Sequence, residues 1–107
     1  ECVLKKRAQH PALSLHLALP GQNQTTGWSA RDKARYQAIL DEATEVWYAA
    51  ELCSPESMRR RNRYLVDNTG RCIAYLRRMR GGTLYTVNYA LDSGIPVDNL
   101  AERFLDI

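Results

Sequence analysis

Helix-like and strand-like segments alternate along the whole chain, and this alternation most constrains the fold. Amphipathic or capped helical segments precede four apolar, strand-like segments, which are 13–19, 46–50, 72–76 and 95–100. Such alternation is typical of a parallel sheet with helices packed on its faces and right-handed crossovers between strands. The sequence therefore predicts an α/β fold with a mostly parallel sheet of about four strands flanked by helices.

The length and composition indicate one ordinary globular domain, since the chain has 107 residues, 45% of them hydrophobic and 25% charged. No apolar run approaches the roughly 20 residues that span a bilayer, and no signal peptide is visible. The three cysteines form no zinc-binding pattern with the two histidines, so no metal site is expected. An odd number of widely spaced cysteines fits a reducing cytoplasm best. Cys72 fits either a small buried side chain or a reactive thiol.

Capping residues mark where the helices begin and end. Ser29 starts a helix, with Asp32 as a capping-box-like partner, and Ser54-Pro55-Glu56 starts another. Gly94 is expected to end the last helix. Four residues of the helix after Ser29 recur at helical spacing and predict a buried face, namely Tyr36, Ile39, Leu40 and Ala43.

Positive charge is concentrated in the second half of the chain. Residues 55–80 contain eight arginines against two acidic residues, a local net charge of +6, while the whole chain carries +3. The remaining residues therefore sum to −3. This asymmetry favours an anionic partner on one surface. A solvated helix face with scattered surface arginines is the alternative.

The strongest candidate site is the turn Gly81-Gly82-Thr83, which follows the apolar segment 72–76 and precedes a helix. Glycines let a ligand approach the main chain, and the start of a helix offers unpaired N–H groups and partial positive charge. Thr83 could cap the helix or donate its hydroxyl to a phosphate. Arg80, with the other arginines of 77–80, adds charge. Thr86 either contributes from the next turn or has a surface or packing role.

Two further groups of residues are secondary candidates. Arg61 could pair with a phosphate or with Asp67, and Asn62 suits a base or ribose edge, although all three also fit an ordinary helix surface. In the loop after the first strand, beside Gln24, Trp28 could stack on a base or anchor the loop to the core. No acid–base pair stands out, so these residues favour a nucleotide- or phosphate-binding module over an enzyme.

The motifs together resemble a known family. The residues Arg61-Asn62-Arg63-Tyr64-Leu65-Val66-Asp67, the apolar strand, Gly81-Gly82-Thr83, Thr86-Val87-x-Tyr89-Ala90 and Gly94 resemble the YpsA-like branch of the SLOG superfamily. The earlier Leu-Ala-Leu-Pro strand, the Gln-containing loop to Trp28 and the helix with Arg35-Tyr36-x-x-Ile39-Leu40 also resemble it, so the similarity covers nearly the whole chain. It implies a Rossmann-like three-layer domain with a site for a nucleotide or an ADP-ribose-like derivative, and no defined activity. By position, the ligand-facing residues would be Arg61, Asn62 and the turn Gly81-Gly82-Thr83.

The chain also departs from the family pattern. The family normally begins with a further strand–helix–strand unit that carries a Thr-Gly-x-Arg-like turn and a Gly-x-Asp segment, and neither occurs here. We therefore expect residues 1–107 to form a single SLOG domain that lacks its N-terminal unit. An aspartate common near the Gly-Gly turn in relatives is replaced by the arginines of 77–80.

Two related families supply the alternatives to a nucleotide-sensing module. The DNA-processing protein A (DprA) has a similar Arg-Asn-Arg helix and binds single-stranded DNA, which the local positive charge favours. LOG-type phosphoribohydrolases have a catalytic glutamate soon after a Gly-Gly-x-Gly-Thr turn, whereas no glutamate follows Thr83 before Glu102. The expected partner is thus a small nucleotide-type ligand, with nucleic acid or a nucleotide-processing hydrolase activity as alternatives. No membrane partner is expected, and self-association is left open.

Overall fold

The computed structural model describes residues 1–104, which contain five helices and four short strands. The chain divides into two compact units, residues 1–58 and residues 59–107, and the division falls within the third helix. Helices and parallel strands alternate in both units, so the predicted α/β class is confirmed. None of the helices in residues 1–104 has the length and apolar character needed to cross a membrane.

The first unit is built on two parallel strands. Its elements are α1 (Cys2–Gln9), β1 (His16–Leu19), α2 (Ala30–Glu42), β2 (Glu45–Tyr48) and the start of α3 (Pro55–Asp67). In the parallel pair, His16 lies opposite Glu45 and Leu19 lies opposite Tyr48. Leu15, Pro20, Gly21 and Ala49 are buried around this pair.

The strand β1 is shorter than the predicted segment 13–19. The amide of Leu15 donates to the side-chain Oγ1 of Thr44 at 3.0 Å, and its carbonyl accepts from the amides of Thr44 and Glu45. The amide of Leu15 is thus hydrogen-bonded to a side chain and not to the main chain of β2. Regular strand pairing begins only at His16. Leu13 lies outside the strand and is exposed.

Serine side chains start two of the helices as the sequence predicts. Ser29 Oγ accepts from the amide of Asp32 at 3.1 Å and begins α2. At the start of α3, the amide of Ser57 donates to Ser54 Oγ at 2.9 Å, and the amide of Ser54 donates to Ser57 Oγ at 2.8 Å. This reciprocal pair satisfies two main-chain donors at the helix start, with Ser57 only 4% exposed. On α2, the predicted apolar face is half-buried.

The second unit contains the remainder of α3, the strands β3 (Cys72–Ala74) and β4 (Val97–Asn99), and the helices α4 (Gly82–Asp92) and α5 (Leu100–Phe104). The two strands are parallel, with Cys72 opposite Val97. Its buried side chains come mainly from the helices and are Val66, Val87, Ala90 and Ala101.

Gly94 ends α4 as predicted. It adopts a positive φ of 77°, and its amide donates to the carbonyl of Leu91 at 3.0 Å. The amide of Ile95 donates to the carbonyl of Ala90 at 2.9 Å. These two bonds form a Schellman motif, which satisfies the last carbonyls of the helix and favours glycine at this position.

Two expectations for the second unit are wrong. The strand predicted over 95–100 is confined to Val97–Asn99, because Leu100 already begins α5, which was predicted as part of a tail over 101–107. Residues 105–107 of that tail lie outside the described residues. The segment 72–76 was predicted to be covered on both faces, yet Ile73 is 69% exposed. In this two-stranded sheet α4 packs against both strands, and Ile73 points away from its half-buried neighbours.

Candidate functional site

The turn before α4 is an uncapped helix start formed by glycine. Gly81 is the N-cap residue, with φ 88° and ψ −169°, a backbone conformation that essentially only glycine adopts. Among residues 1–104, no side chain caps this end of the helix. Gly82 is the first helical residue, and both glycines are exposed, with no atom within 4 Å of a Cβ placed on either. The first amides of α4 are therefore accessible to an anion from solvent.

Two threonines were expected near this turn, and only one keeps its hydroxyl available. Of the two roles that the sequence allows Thr83, that of helix cap is not observed, because Gly81 with its positive φ is the N-cap residue. Thr83 instead lies in the first helical turn, where it is exposed. Thr86 Oγ1 donates to the carbonyl of Gly82 at 3.0 Å, so its hydroxyl proton is used within the helix.

The arginines before the turn are exposed and available to a ligand. Arg77, Arg78 and Arg80 are all exposed. None of the ion pairs found within residues 1–104 involves these three side chains. The turn therefore combines uncapped helix amides with several guanidinium groups that form no ion pair with a carboxylate of residues 1–104.

Asn99, which the sequence reasoning missed, holds the chain where it leaves β3. Its Oδ1 accepts from the amide of Leu76 at 2.9 Å, and its Nδ2 donates to the carbonyl of Leu76 at 3.0 Å. The same Oδ1 accepts from the amide of Ala101 at 3.1 Å and so caps α5. An Asn followed by Glu102 three residues later is a helix-start signal that could have identified this residue.

The candidates on α3 have partners of their own. Arg61 Nε donates to Asn62 Oδ1 at 2.8 Å, and both side chains are half-buried. Asp67 Oδ1 accepts from the hydroxyl of Tyr89 at 2.7 Å. Among residues 1–104, no ion pair joins Arg61 to Asp67, so that alternative from the sequence is not observed.

The contact between Asp67 and Tyr89 links α3 to α4. The hydrogen bond to the Asp67 carboxylate raises the pKa of Tyr89. Burial and the negative charge of Asp67 add to this rise, while Arg63 opposes it. No local sequence signal identifies this pair, because Asp67 and Tyr89 lie 22 residues apart in the chain.

Gln24 and Trp28 belong to the first unit, where they surround Tyr36. The rings of Trp28 and Tyr36 meet edge to face, with centroids 5.7 Å apart and an interplanar angle of 88°. The hydroxyl of Tyr36 donates to Gln24 Oε1 at 3.4 Å, and burial raises the pKa of Tyr36. Trp28 nevertheless remains 42% exposed. It therefore contacts the protein on one side and solvent on the other.

A shallow cavity of about 570 Å³ lies beside Trp28. Asp32, Arg35, Tyr36 and Ile39 line it from α2, and Glu1 lines it from the beginning of the chain. Arg35 hydrogen-bonds and ion-pairs with Glu1, which raises the pKa of Arg35 and lowers the pKa of Glu1. The cavity thus combines aromatic, acidic and basic groups.

The loops that follow β1 and β2 are closely interlocked. The amide of Cys53 donates to Asn23 Oδ1 at 2.7 Å, and the amide of Gln22 donates to the carbonyl of Glu51 at 2.9 Å. A Cβ on Gly21 would lie 2.5 Å from the amide nitrogen of Cys53. Only a residue without a side chain allows this approach.

Within residues 1–104, no three His, Cys, Asp or Glu side chains are grouped closely enough to hold a metal ion.

The structure thus defines an α/β protein with short parallel strands and an uncapped helix start flanked by arginines. No family model matches the sequence. The chain is 30% identical over 101 residues to the uncharacterized SPbeta prophage-derived protein YoqJ of Bacillus subtilis (strain 168). The match covers 83% of this chain and 59% of YoqJ, so the chain spans about three fifths of the length of this relative.

Proposed function

We propose that this protein binds a nucleotide or a nucleotide derivative and holds its phosphate at the turn Gly81-Gly82-Thr83. The observation that carries the proposal is the start of α4, where Gly81 has φ 88° and no side chain of the described part of the chain caps the helix. A helix start of this kind presents several N–H donors and partial positive charge to an anion. The exposed Thr83 supplies a further hydroxyl donor.

The surrounding charge supports an anionic ligand. Arg80 and its neighbours at 77 and 78 are exposed, with no ion pair among the described residues. Asn99 fixes the main chain of Leu76 immediately before them, so the segment that carries these arginines starts from a defined position. We assign Arg61 and Asn62 a supporting role toward the same ligand, because the resemblance to YpsA-like proteins gives them one.

The proposed architecture is that of a Rossmann-like SLOG domain with a mostly parallel sheet of about four strands. The two parallel strand pairs and the helices between them support this arrangement. Two-stranded sheets are rarely stable alone, which also favours pairing within a larger sheet. The three cysteines form no disulfide, which supports a reducing compartment such as the cytoplasm. Because YoqJ is itself described as uncharacterized, it provides no evidence about the function of this chain.

The test compares two glycine-to-glutamate variants in a thermal-shift screen against nucleotides, ADP-ribose and inorganic phosphate. Gly82→Glu places a carboxylate on the first residue of α4. Gly70→Glu adds the same charge at another exposed, sterically open glycine of the second unit. An acidic residue in the first helical turn is itself favourable, so Gly82→Glu should not unfold the protein.

We expect ligand-induced stabilisation in the wild type and in Gly70→Glu, and none in Gly82→Glu. Loss of the ligand-induced stabilisation in both variants would indicate a general effect of the added negative charge. Equal stabilisation in all three proteins, or none in the wild type, would contradict a phosphate site at this turn.

Single-stranded DNA binding is the second candidate, and a specific observation favours it. Tyr75 is 52% exposed, and it lies next to the exposed arginines of 77–80. Aromatic rings beside positive charge are typical of surfaces that bind single strands by stacking. Gel shifts with an oligonucleotide at two salt concentrations test this candidate, because phosphate contacts lose affinity steeply as salt rises.

A nucleotide-processing hydrolase has weaker support. Glu102, the first glutamate after the turn, is an exposed residue of α5. Incubation with nucleoside monophosphates tests this alternative, and release of free base would establish it.

A further inference from the structure

The first unit contains the Trp28 cavity, which the proposed phosphate site does not use. Its volume of about 570 Å³ is within the usual range for a small-molecule site. The cavity lies along the first turns of α2, and its lining residues all belong to the first unit. Its chemistry can therefore be considered independently of Gly81-Gly82-Thr83.

Trp28 is held in place by its neighbours while its ring stays exposed. The preceding Gly27 has a positive φ of 84°, and the following Ser29 caps α2. The amide of Trp28 donates to the carbonyl of Thr25 at 3.0 Å, and the edge-to-face contact with Tyr36 limits the ring's rotation. A large aromatic ring that is restrained yet 42% exposed offers a preformed flat surface for stacking.

Asp32 supplies a hydrogen-bond acceptor beside this ring. Within residues 1–104, no hydrogen bond or ion pair engages its carboxylate, although its negative charge adds to the raised pKa of Arg35. The Arg35 guanidinium itself is paired with Glu1. A phosphate in this cavity would therefore face the carboxylates of Glu1 and Asp32 and a single guanidinium, that of Arg35, which is already paired with Glu1. A planar ligand with N–H donors suits both the exposed ring and the Asp32 carboxylate, which accepts no hydrogen bond from residues 1–104.

We propose that this cavity binds a nucleobase that carries an amino group, with its ring stacked on Trp28 and the amino group donating to Asp32. Guanine fits best, since two adjacent N–H donors on one edge match the two oxygens of a carboxylate. The base could come from a free nucleoside or from a single strand, because both present the same ring and edge.

The test uses guanosine and inosine, which differ by the amino group and carry no phosphate. The chain has two tryptophans, so in Trp47→Phe the fluorescence reports on Trp28 alone. We expect saturable quenching by guanosine, with inosine binding about tenfold more weakly for the loss of one charge-assisted hydrogen bond. No saturable quenching by either nucleoside would overturn the proposal.

Calorimetric titrations of variants assign the two contacts. Trp28→Leu should weaken guanosine binding roughly five- to 150-fold, the range for loss of one aromatic stack, while Trp28→Phe retains most of it. Asp32→Asn should remove the preference for guanosine over inosine. Asp41→Asn, which removes the same charge elsewhere on α2, should preserve that preference. Full affinity in Trp28→Leu, or an unchanged preference in Asp32→Asn, would overturn the proposal.

A further titration separates this site from the phosphate site. Guanosine binding should be unchanged in Gly82→Glu, and weaker guanosine binding in that variant would overturn the claim of an independent site.

Another comparison identifies the source of the base. The trinucleotide TpGpT is compared with guanosine. Binding that depends on Trp28 and is tighter for the trinucleotide indicates a single strand, whereas tighter guanosine binding indicates a free nucleoside. Displacement of bound guanosine by a simple amine at equal concentration would show that the cavity is a cation site and contradict the proposal.

Discussion

Substitutions of the two adjacent glycines should change stability in opposite directions. Gly81 has φ 88° and ψ −169°, and no atom lies within 4 Å of a Cβ placed there. The cost of Gly81→Ala is therefore purely conformational, about 1–3 kcal/mol for this glycine-only region. Gly82 also has open space, but it lies inside α4 with no positive φ. Gly82→Ala should stabilise the protein by up to about 1 kcal/mol, because alanine has the higher helix propensity.

The measurement is urea unfolding of both variants followed by far-ultraviolet circular dichroism. We expect a lower midpoint for Gly81→Ala and a higher midpoint for Gly82→Ala than for the wild type. In thermal melts each 1 kcal/mol corresponds to about 4–8 °C for a domain of this size class. Because neither substitution creates a clash, steric effects would not obscure the comparison. Equal effects of the two substitutions, or a neutral Gly81→Ala, would refute the turn geometry.

Three further predictions concern contacts outside the turn. Gly21→Ala should destabilise the protein by about 1–3 kcal/mol in urea unfolding, because its Cβ would lie 2.5 Å from the amide nitrogen of Cys53; a neutral result would contradict that close approach. Asn99→Ala removes three hydrogen bonds and should speed amide hydrogen exchange over residues 76–83, whereas unchanged exchange would show that other contacts hold the segment. The hydrogen bond to Asp67 raises the pKa of Tyr89, so its stabilising effect should be present below the unfolded pKa of about 10 and be lost as pH rises through the folded-state pKa. Tyr89→Phe should weaken that dependence in unfolding experiments near pH 10, and an unaltered pH profile would contradict it.

Local signals in the sequence were the most informative about the fold. Ser29 and Gly94 were predicted as helix ends, and the structure confirms both, because capping depends on hydrogen bonds between residues close in sequence. The parallel strand pairs were also predicted from the alternation of segments. Strand ends were less accurate, since a single tertiary partner such as Thr44 decides where pairing with β1 starts.

The geometry of the candidate site could be predicted only in part. The Gly-Gly turn was identified from its position, but the residue that adopts the positive φ was not, and the sequence left open whether Thr83 caps the helix. The partnership of Asp67 with Tyr89 depends on how two helices pack, which no local pattern encodes. The role of Asn99 as the cap of α5 could have been predicted from the local sequence. Its hydrogen bond with Leu76 is a tertiary contact and could not.

The most direct test of the central claim follows backbone amide resonances while inorganic phosphate and then ADP-ribose are added to the isotopically labelled protein. Because the proposed anion is held by the first amides of α4, the account predicts that the largest shifts occur at Gly82, Thr83 and Leu84. These shifts should saturate with each ligand and be absent in Gly82→Glu. Saturable shifts centred elsewhere in the chain, with these three amides unaffected, would contradict a phosphate site at the Gly81-Gly82-Thr83 turn.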